Sequence, residues 1–278
     1  MKPIINHGSY LFPEDFSLDF PCQIDVCRPS TIVCSNYRVL ILTTESNLSP
    51  NRVTIDDLRI KNDHDLILTH DSDIVDEFSN AVFFPYGSTW LNRGSIEHPD
   101  GLGEYEEKNY ESNYDVSFLA SWYPIDRPGY YHRREIWRRQ QEIGIPTNFF
   151  TSTKAFDISP KPLIDGEKDC LFNSMFHICT ENQSVHNYFT EKIVDCFLSE
   201  TIPVYWGCPN INDFFDNTGI ISFDSTDELI HKVNSLTPEY YSNLKSVIED
   251  NKRRAKLYAN FSDRVHTIVS NYYAKASV

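Results

Sequence analysis

Short apolar runs, each closed by polar residues, constrain this chain more than any other feature. Tyr37 to Thr44 stops at Glu45-Ser46-Asn47, Asp65 to His70 is a second such run, and Ala81 to Gly87 is a third. Runs of this kind, bounded by polar turns, suit strands covered on both faces, as in a parallel sheet. Between Asn92 and Asn113 the chain becomes Gly-, Glu- and Asn-rich and loses its hydrophobic period, which marks a boundary. The pattern then resumes. Strands are predicted over 115–122, 146–150, 176–180, 201–206 and 219–223, with a charged helix over 132–143. A second helix spans 189–199, with Phe189, Ile193, Cys196 and Phe197 on one face. Ser225-Thr226-Asp227-Glu228 is a capping box that opens a further helix. Thr237-Pro238 opens the last long one, with Pro at its first position. Strands alternating with helices predict an α/β fold. Two such halves predict two Rossmann-like lobes with a ligand cleft between them: residues 1–113, and 114–278 with the last helix packing back on the first lobe.

Charge narrows the function classes. In 278 residues there are 25 Lys+Arg against 40 Asp+Glu, a net charge of −15. So acidic a chain is unsuited to nucleic acid or to an anionic membrane surface, both of which need a positive face. An anionic ligand must be gripped by a local basic cluster. The start, Met1-Lys2-Pro3-Ile4-Ile5-Asn6-His7, holds no apolar leader segment, and no apolar run approaches the ~20 residues that span a bilayer. The seven cysteines are dispersed, with no C-x-x-C pair, so reduced thiols and a cytoplasmic location are expected.

Two basic groups stand out. Lys192 falls in the first turn of its helix, where the dipole is positive and a lysine is locally unfavourable. An anion held there by backbone N–H groups and the ammonium together explains it; a surface lysine pointing away is the alternative. Glu191 beside it suits vicinal sugar hydroxyls, as acidic residues do for nucleotide riboses, or is simply a carboxylate stabilised by the helix start. Arg133, Arg134, Arg138 and Arg139 share one helix. Arg133 and Arg134 are placed near its start, where a guanidinium fork suits a phosphate, and Arg138 and Arg139 on a solvated face.

Tyr188-Phe189-Thr190-Glu191-Lys192-Ile193, followed by Thr201-Ile202-Pro203-Val204-Tyr205-Trp206-Gly207, resembles the signature of the α-1,3-fucosyltransferase family: an E-N pair, Y-x-T-E-K, a helix, and a strand ending P-V-x-x-G. Ser117-Phe118-Leu119-Ala120-Ser121 resembles that family's S-F-x-x-S strand, Asp71-Ser72-Asp73-Ile74 its D-S-D-I element, Pro85-Tyr86-Gly87 its P-Y-G element, and Glu45-Ser46 its E-S pair. The resemblance spans about residues 37–225. It implies a GT-B-like glycosyltransferase that moves a sugar from a nucleoside diphosphate to an acceptor hydroxyl by a single inverting displacement. It further implies Glu45 as general base, Arg133, Tyr188 and Lys192 on the diphosphate, Glu191 on the ribose, and Asn182 shaping the donor pocket. The chemistry agrees: cations stabilise a departing diphosphate, and a weak hydroxyl nucleophile is helped by a carboxylate within reach.

The chain departs from the pattern at Thr180, where the family often has Phe, in a lengthened stretch from Val75 to Phe84, and in a short acceptor half. These leave the donor open between GDP-fucose, the default, and another nucleotide sugar such as UDP-xylose. The acceptor is a glycan or glycoconjugate. Asp71-x-Asp73 also fits a metal–diphosphate motif, but it lies far from the phosphate cluster, so no obligatory metal is expected. A non-catalytic glycan- or nucleotide-binding module is the reading from another class, and a carboxylate at position 45 speaks against it.

Overall fold

The computed structural model describes residues 1–7, 11–43, 53–91, 112–121, 127–152, 163 and 168–276. The chain divides into two compact units: Met1–Tyr86 together with Asn260–Val278, and Gly87–Ala259. The described strands form two five-stranded sheets, parallel throughout.

In the first unit, β1 (Ile4–Asn6), β2 (Gln23–Val26), β3 (Arg38–Leu42), β4 (Leu66–Thr69) and β5 (Ala81–Phe83) pair in chain order. β3 and β4 are buried along their whole length, as their unbroken apolar runs require. β1 and β2 carry no comparable run, since β1 has only three residues and Gln23 and Asp25 interrupt β2, and neither is legible in the sequence. Helix α1 (Ile55–Ile60) is opened by a capping box from Thr54 to Asp57. Helix α2 (Ser72–Glu77) is capped by Asp71, whose side chain accepts from the Asp73 amide at 3.1 Å. The D-x-D pair thus serves as a helix start. One face of the sheet packs on Leu40, Leu42, Leu58, Ile67 and Ile74.

In the second unit, the strands β6 (Asn113–Ala120), β7 (Thr147–Thr151), β8 (Ser174–Thr180), β9 (Ile202–Trp206) and β10 (Ile221–Ser222) lie in the order β10-β9-β8-β6-β7. From β6 the chain first goes to one side, as β7, then returns to the other, as β8. The carboxyl ends of β6 and β8 are therefore the point where strand order reverses, the place where open α/β sheets bind ligands. Helix α3 (Pro128–Arg138) joins β6 to β7, and α4 (Glu191–Leu198) joins β8 to β9.

Three helix boundaries differ from the sequence reading. Helix α3 begins at Pro128, not near His132, because a proline at the first position is preorganised for a helix. Arg133 and Arg134 consequently stand in its second turn, beyond the positive end of the dipole. The long helix expected from Pro238 is three: α6 (Pro238–Asn243), α7 (Lys245–Ala259) and α8 (Phe261–Ala276), broken at Leu244 and Asn260. Helices α5 (Thr226–Asn234), α6 and α7 belong to the second unit, whereas α8 belongs to the first. There Phe261, Val265 and Val269 lie on one helical face and are buried in the core, with Phe84 edge-on to Phe261 at 5.4 Å.

Candidate active site

The reversal point of the second sheet gathers the charged residues. Arg133 reaches into it from α3 and is 5% exposed. Its Nε donates to Thr180 Oγ1 at 2.8 Å, Nη1 to the Ser121 carbonyl at 3.1 Å, and Nη2 to the Thr180 carbonyl at 2.5 Å and to Asn182 Oδ1 at 2.7 Å. One guanidinium thus ties the end of β6 to the end of β8 and fixes Asn182. Its fork is directed to protein acceptors, which is the geometry of a residue that builds the loop.

Glu181, directly after β8, is fully buried. Its Oε1 accepts from the Thr190 amide at 2.9 Å, and its Oε2 from the Thr190 hydroxyl at 2.8 Å and from Lys192 Nζ at 3.3 Å. Two glycines allow this packing. A Cβ on Gly129 would lie 1.9 Å from the Glu181 carbonyl oxygen, and one on Gly207 would lie 2.5 Å from Glu181 Cγ. Burial pushes the Glu181 carboxyl up, with Lys192 pulling the other way. The sequence reading assigned no role to Glu181; its place at the end of an apolar strand, before a polar loop, was the available signal.

The loop closes at Thr190, which caps α4 by accepting from the Lys192 amide. Lys192 therefore does sit in the first turn, as its spacing implied. Its Nζ lies 3.0 Å from Thr190 Oγ1 and 3.6 Å from Glu191 Oε1. Burial opposes the ammonium's charge, but Glu191 and Glu181 outweigh it and hold the Lys192 pKa well above its usual value. Glu191 is also desolvated, yet Lys192 and Lys168 overcome this and hold its carboxyl down to about 2. Lys168 Nζ approaches Glu191 Oε1 at 3.5 Å. Tyr188 is 3% exposed in the same loop. The site thus offers a partly exposed ammonium and a carboxylate held in its ionised form at one helix start, suited to an anion and to hydroxyl groups respectively.

The other predicted residues stand as follows. Arg134 is half-buried, and its Nε has no partner among the described residues. Arg138 pairs with Glu135 on an exposed face. Arg139 is bound to Glu142 at 2.6 Å and Asp227 at 2.6 Å, joining α3 to α5. Glu45 lies outside the described residues. Arg127, which the sequence reading passed over, stands at the N-cap of α3 with its guanidinium 5.6 Å from the Tyr130 ring centre. It holds the helix-start position that had been ascribed to Arg133, and the Arg-Pro-Gly triplet was the signal. Among the described residues there is no group of three or more metal-ligating side chains, and no helix long and apolar enough to cross a membrane.

Comparison with known proteins bears on this site. Residues 132–265 match the profile of the glycosyltransferase family 10 (fucosyltransferase) C-terminal domain. An α-(1,3)-fucosyltransferase, FucT of Helicobacter pylori, is 33% identical over 76 residues; the match covers 26% of this chain and spans 16% of that protein's length. The crystal structure of an α1,3-fucosyltransferase covers 95% of this chain and 78% of its own, at 17% identity and a TM-score of 0.54. One of an α1,3-fucosyltransferase with GDP shares the same coverage at 20% identity and a TM-score of 0.51. These structures carry the fold: two parallel-sheet α/β units of the GT-B class, as the sequence had implied. The charged loop between β8 and α4 lies inside the segment, residues 132–265, that matches the C-terminal domain of glycosyltransferase family 10 (fucosyltransferase).

Proposed function

We propose that the protein transfers a sugar from a nucleoside diphosphate to a hydroxyl of a glycan acceptor, with inversion. The observation that carries this reading is the convergence of Lys192, Glu191, Glu181 and Arg133 at the reversal point of a parallel sheet, in the segment that matches the family. In this reading Lys192 meets the diphosphate, with Arg127 and Arg134 as the further cations on α3. Glu191 accepts hydrogen bonds from the ribose hydroxyls. Arg133 holds Asn182 and the loop in place, and Tyr188 is buried in the same loop. The leaving diphosphate gains charge as the glycosidic bond breaks, and fixed cations at that position lower the barrier. Glu45 takes the proton of the attacking hydroxyl. The chemistry needs no metal, because the cations come from the chain.

GDP-fucose is the default donor, on the strength of the family and of the GDP held by one structural neighbour. The test is a donor panel. GDP-fucose and UDP-xylose are each incubated with the protein and a mixture of glycan acceptors, and nucleoside diphosphate release is followed with and without EDTA. Acceptor-dependent, EDTA-resistant release of GDP is expected. Release of UDP alone would reassign the donor, and absence of any acceptor-dependent release together with retained nucleotide binding would make the protein a binder.

A further inference from the structure

Helix α4 carries a second carboxylate on the same face as Glu191, one turn on. Asp195 is 1% exposed, and residues four apart on a helix are neighbours. Its Oδ1 accepts from the Thr89 hydroxyl at 2.6 Å and from the Trp90 amide at 3.0 Å. Thr89 Oγ1 in turn accepts from the Leu91 amide at 3.2 Å. Asp195 therefore fastens the stretch Thr89–Leu91 to α4. The Trp90 indole held by this contact lies under Lys168, whose Nζ is 4.7 Å from the ring centre, well inside cation–π range. The same ammonium is 3.5 Å from Glu191 Oε1. The contacts close a ring: Asp195, Trp90, Lys168, Glu191, and back along α4 to Asp195.

We propose that Asp195 and Trp90 are positioning residues that hold Lys168 against Glu191, so that Glu191 presents a fixed, ionised carboxylate to a pair of adjacent hydroxyls on the nucleoside. This rests on the reading of Glu191 as the hydroxyl-binding acid and adds the machinery that aims it. A lysine on a flexible stem does not by itself fix a partner; an ammonium seated on an aromatic face does, because its freedom is already lost before the ligand arrives. Burial raises the Asp195 carboxyl to about 7, against the pull of Lys168 and the Thr89 hydrogen bond, and Glu191 adds to the rise.

The experiment measures Kd on the full chain for GDP and UDP and for their 2′,3′-dideoxy forms. Hydrogen bonds to an ionised carboxylate should make wild-type protein prefer the ribonucleotide by about tenfold or more. Trp90→Leu and Lys168→Met should each shrink that preference to about threefold or less, while the dideoxy Kd stays nearly constant. Trp90→Phe, which keeps an aromatic face, should retain most of it. Asp195→Asn should fall between them. If Trp90→Leu does not fold, Asp195→Asn decides: a preference as large as wild type there, in a protein where Lys168→Met loses it, overturns the positioning role. Variants that keep the full preference, in a protein where Glu191→Gln abolishes it, overturn the proposal and leave the role of Glu191 standing. A wild-type protein that binds both forms equally removes the role of Glu191, and this inference with it.

Discussion

Among the described residues the two units are built from the same parts, five parallel strands each, but the order of those strands differs. In the first the strands run β1 to β5 in sequence; in the second the order reverses between β6 and β8. Where order is sequential, every crossover covers the edge of its neighbour in the same sense. Where it reverses, two crossovers diverge and leave a crevice at the strand ends. The buried charges follow this difference. In the first unit Asp25 accepts from Arg38 at 2.9 Å and is 2.9 Å from His64 Nε2, with Asn6 and Gln23 completing its shell. Arg38 opens β3 and His64 precedes β4, so the cluster leans to the amino ends of those strands and is closed on itself. In the second unit Arg133, Glu181, Glu191 and Lys192 collect at the carboxyl ends, with Lys192 still 24% exposed. On the proposed reading, a buried ion pair marks a ligand site only where topology leaves an opening beside it.

The largest effect is expected at Glu45. Glu45→Gln should lower kcat by about 10²–10⁴-fold, the usual worth of a general base, with the GDP Kd unchanged. A kcat within a few-fold of wild type removes Glu45 from the chemistry. Next come paired substitutions that set the two clusters against each other. Asp25→Asn leaves Arg38 buried with a weakened partner and should cost roughly 3–5 kcal/mol of stability, read as a lowered Tm, without changing the GDP Kd of the folded protein. Lys192→Met also leaves Glu181 buried with one partner fewer and should lower Tm, but unlike Asp25→Asn it should weaken GDP binding by the folded protein about 10- to 100-fold. If Asp25→Asn changes the folded protein's affinity as much as Lys192→Met does, the two clusters are not functionally distinct.

A third contrast is one of sign. Asp25 is desolvated, but its hydrogen bonds from His64, Asn6 and Gln23 hold its carboxyl well below the usual range. Its stabilisation is present above about pH 4, the unfolded value, and is lost as pH falls below it. Asp195 is raised to about 7 by burial. The folded state keeps that proton where the unfolded chain has released it, so stability falls as pH rises from about 4 to 7 and is level beyond. Asp25→Asn should therefore flatten the acid limb of a Tm–pH profile, and Asp195→Asn should flatten the decline toward neutrality. The opposite pattern contradicts the assignment of these two carboxylates. The smallest effect is expected at Arg138→Ala, whose exposed pair with Glu135 should contribute less than about 1 kcal/mol.

Much of this was legible in residue order. The unbroken runs over Arg38–Leu42 and Leu66–Thr69 announced buried parallel strands, and Thr190-Glu191-Lys192 announced a helix start with an ammonium in its first turn. β1 and β2 were not legible, because they are short and β2 carries Gln23 and Asp25 in a polar network that only tertiary structure supplies. The sequence singled out Arg133 as a phosphate cation near a helix start; its burial and its bonds to Thr180 and Ser121 were not legible, since those partners lie 47 and 12 residues away. The Asp195–Trp90 contact joins residues 105 apart, and no local pattern reports such a distance.

The central claim is that nucleoside diphosphate binds at the reversal point of the second sheet. Amide hydrogen exchange with and without saturating GDP tests it most directly. Protection concentrated in residues 181–194 and at the start of α3, with the Leu66–Glu77 region of the first unit unchanged, is the predicted result. Protection confined to the first unit, with residues 181–194 exchanging as before, would contradict the account.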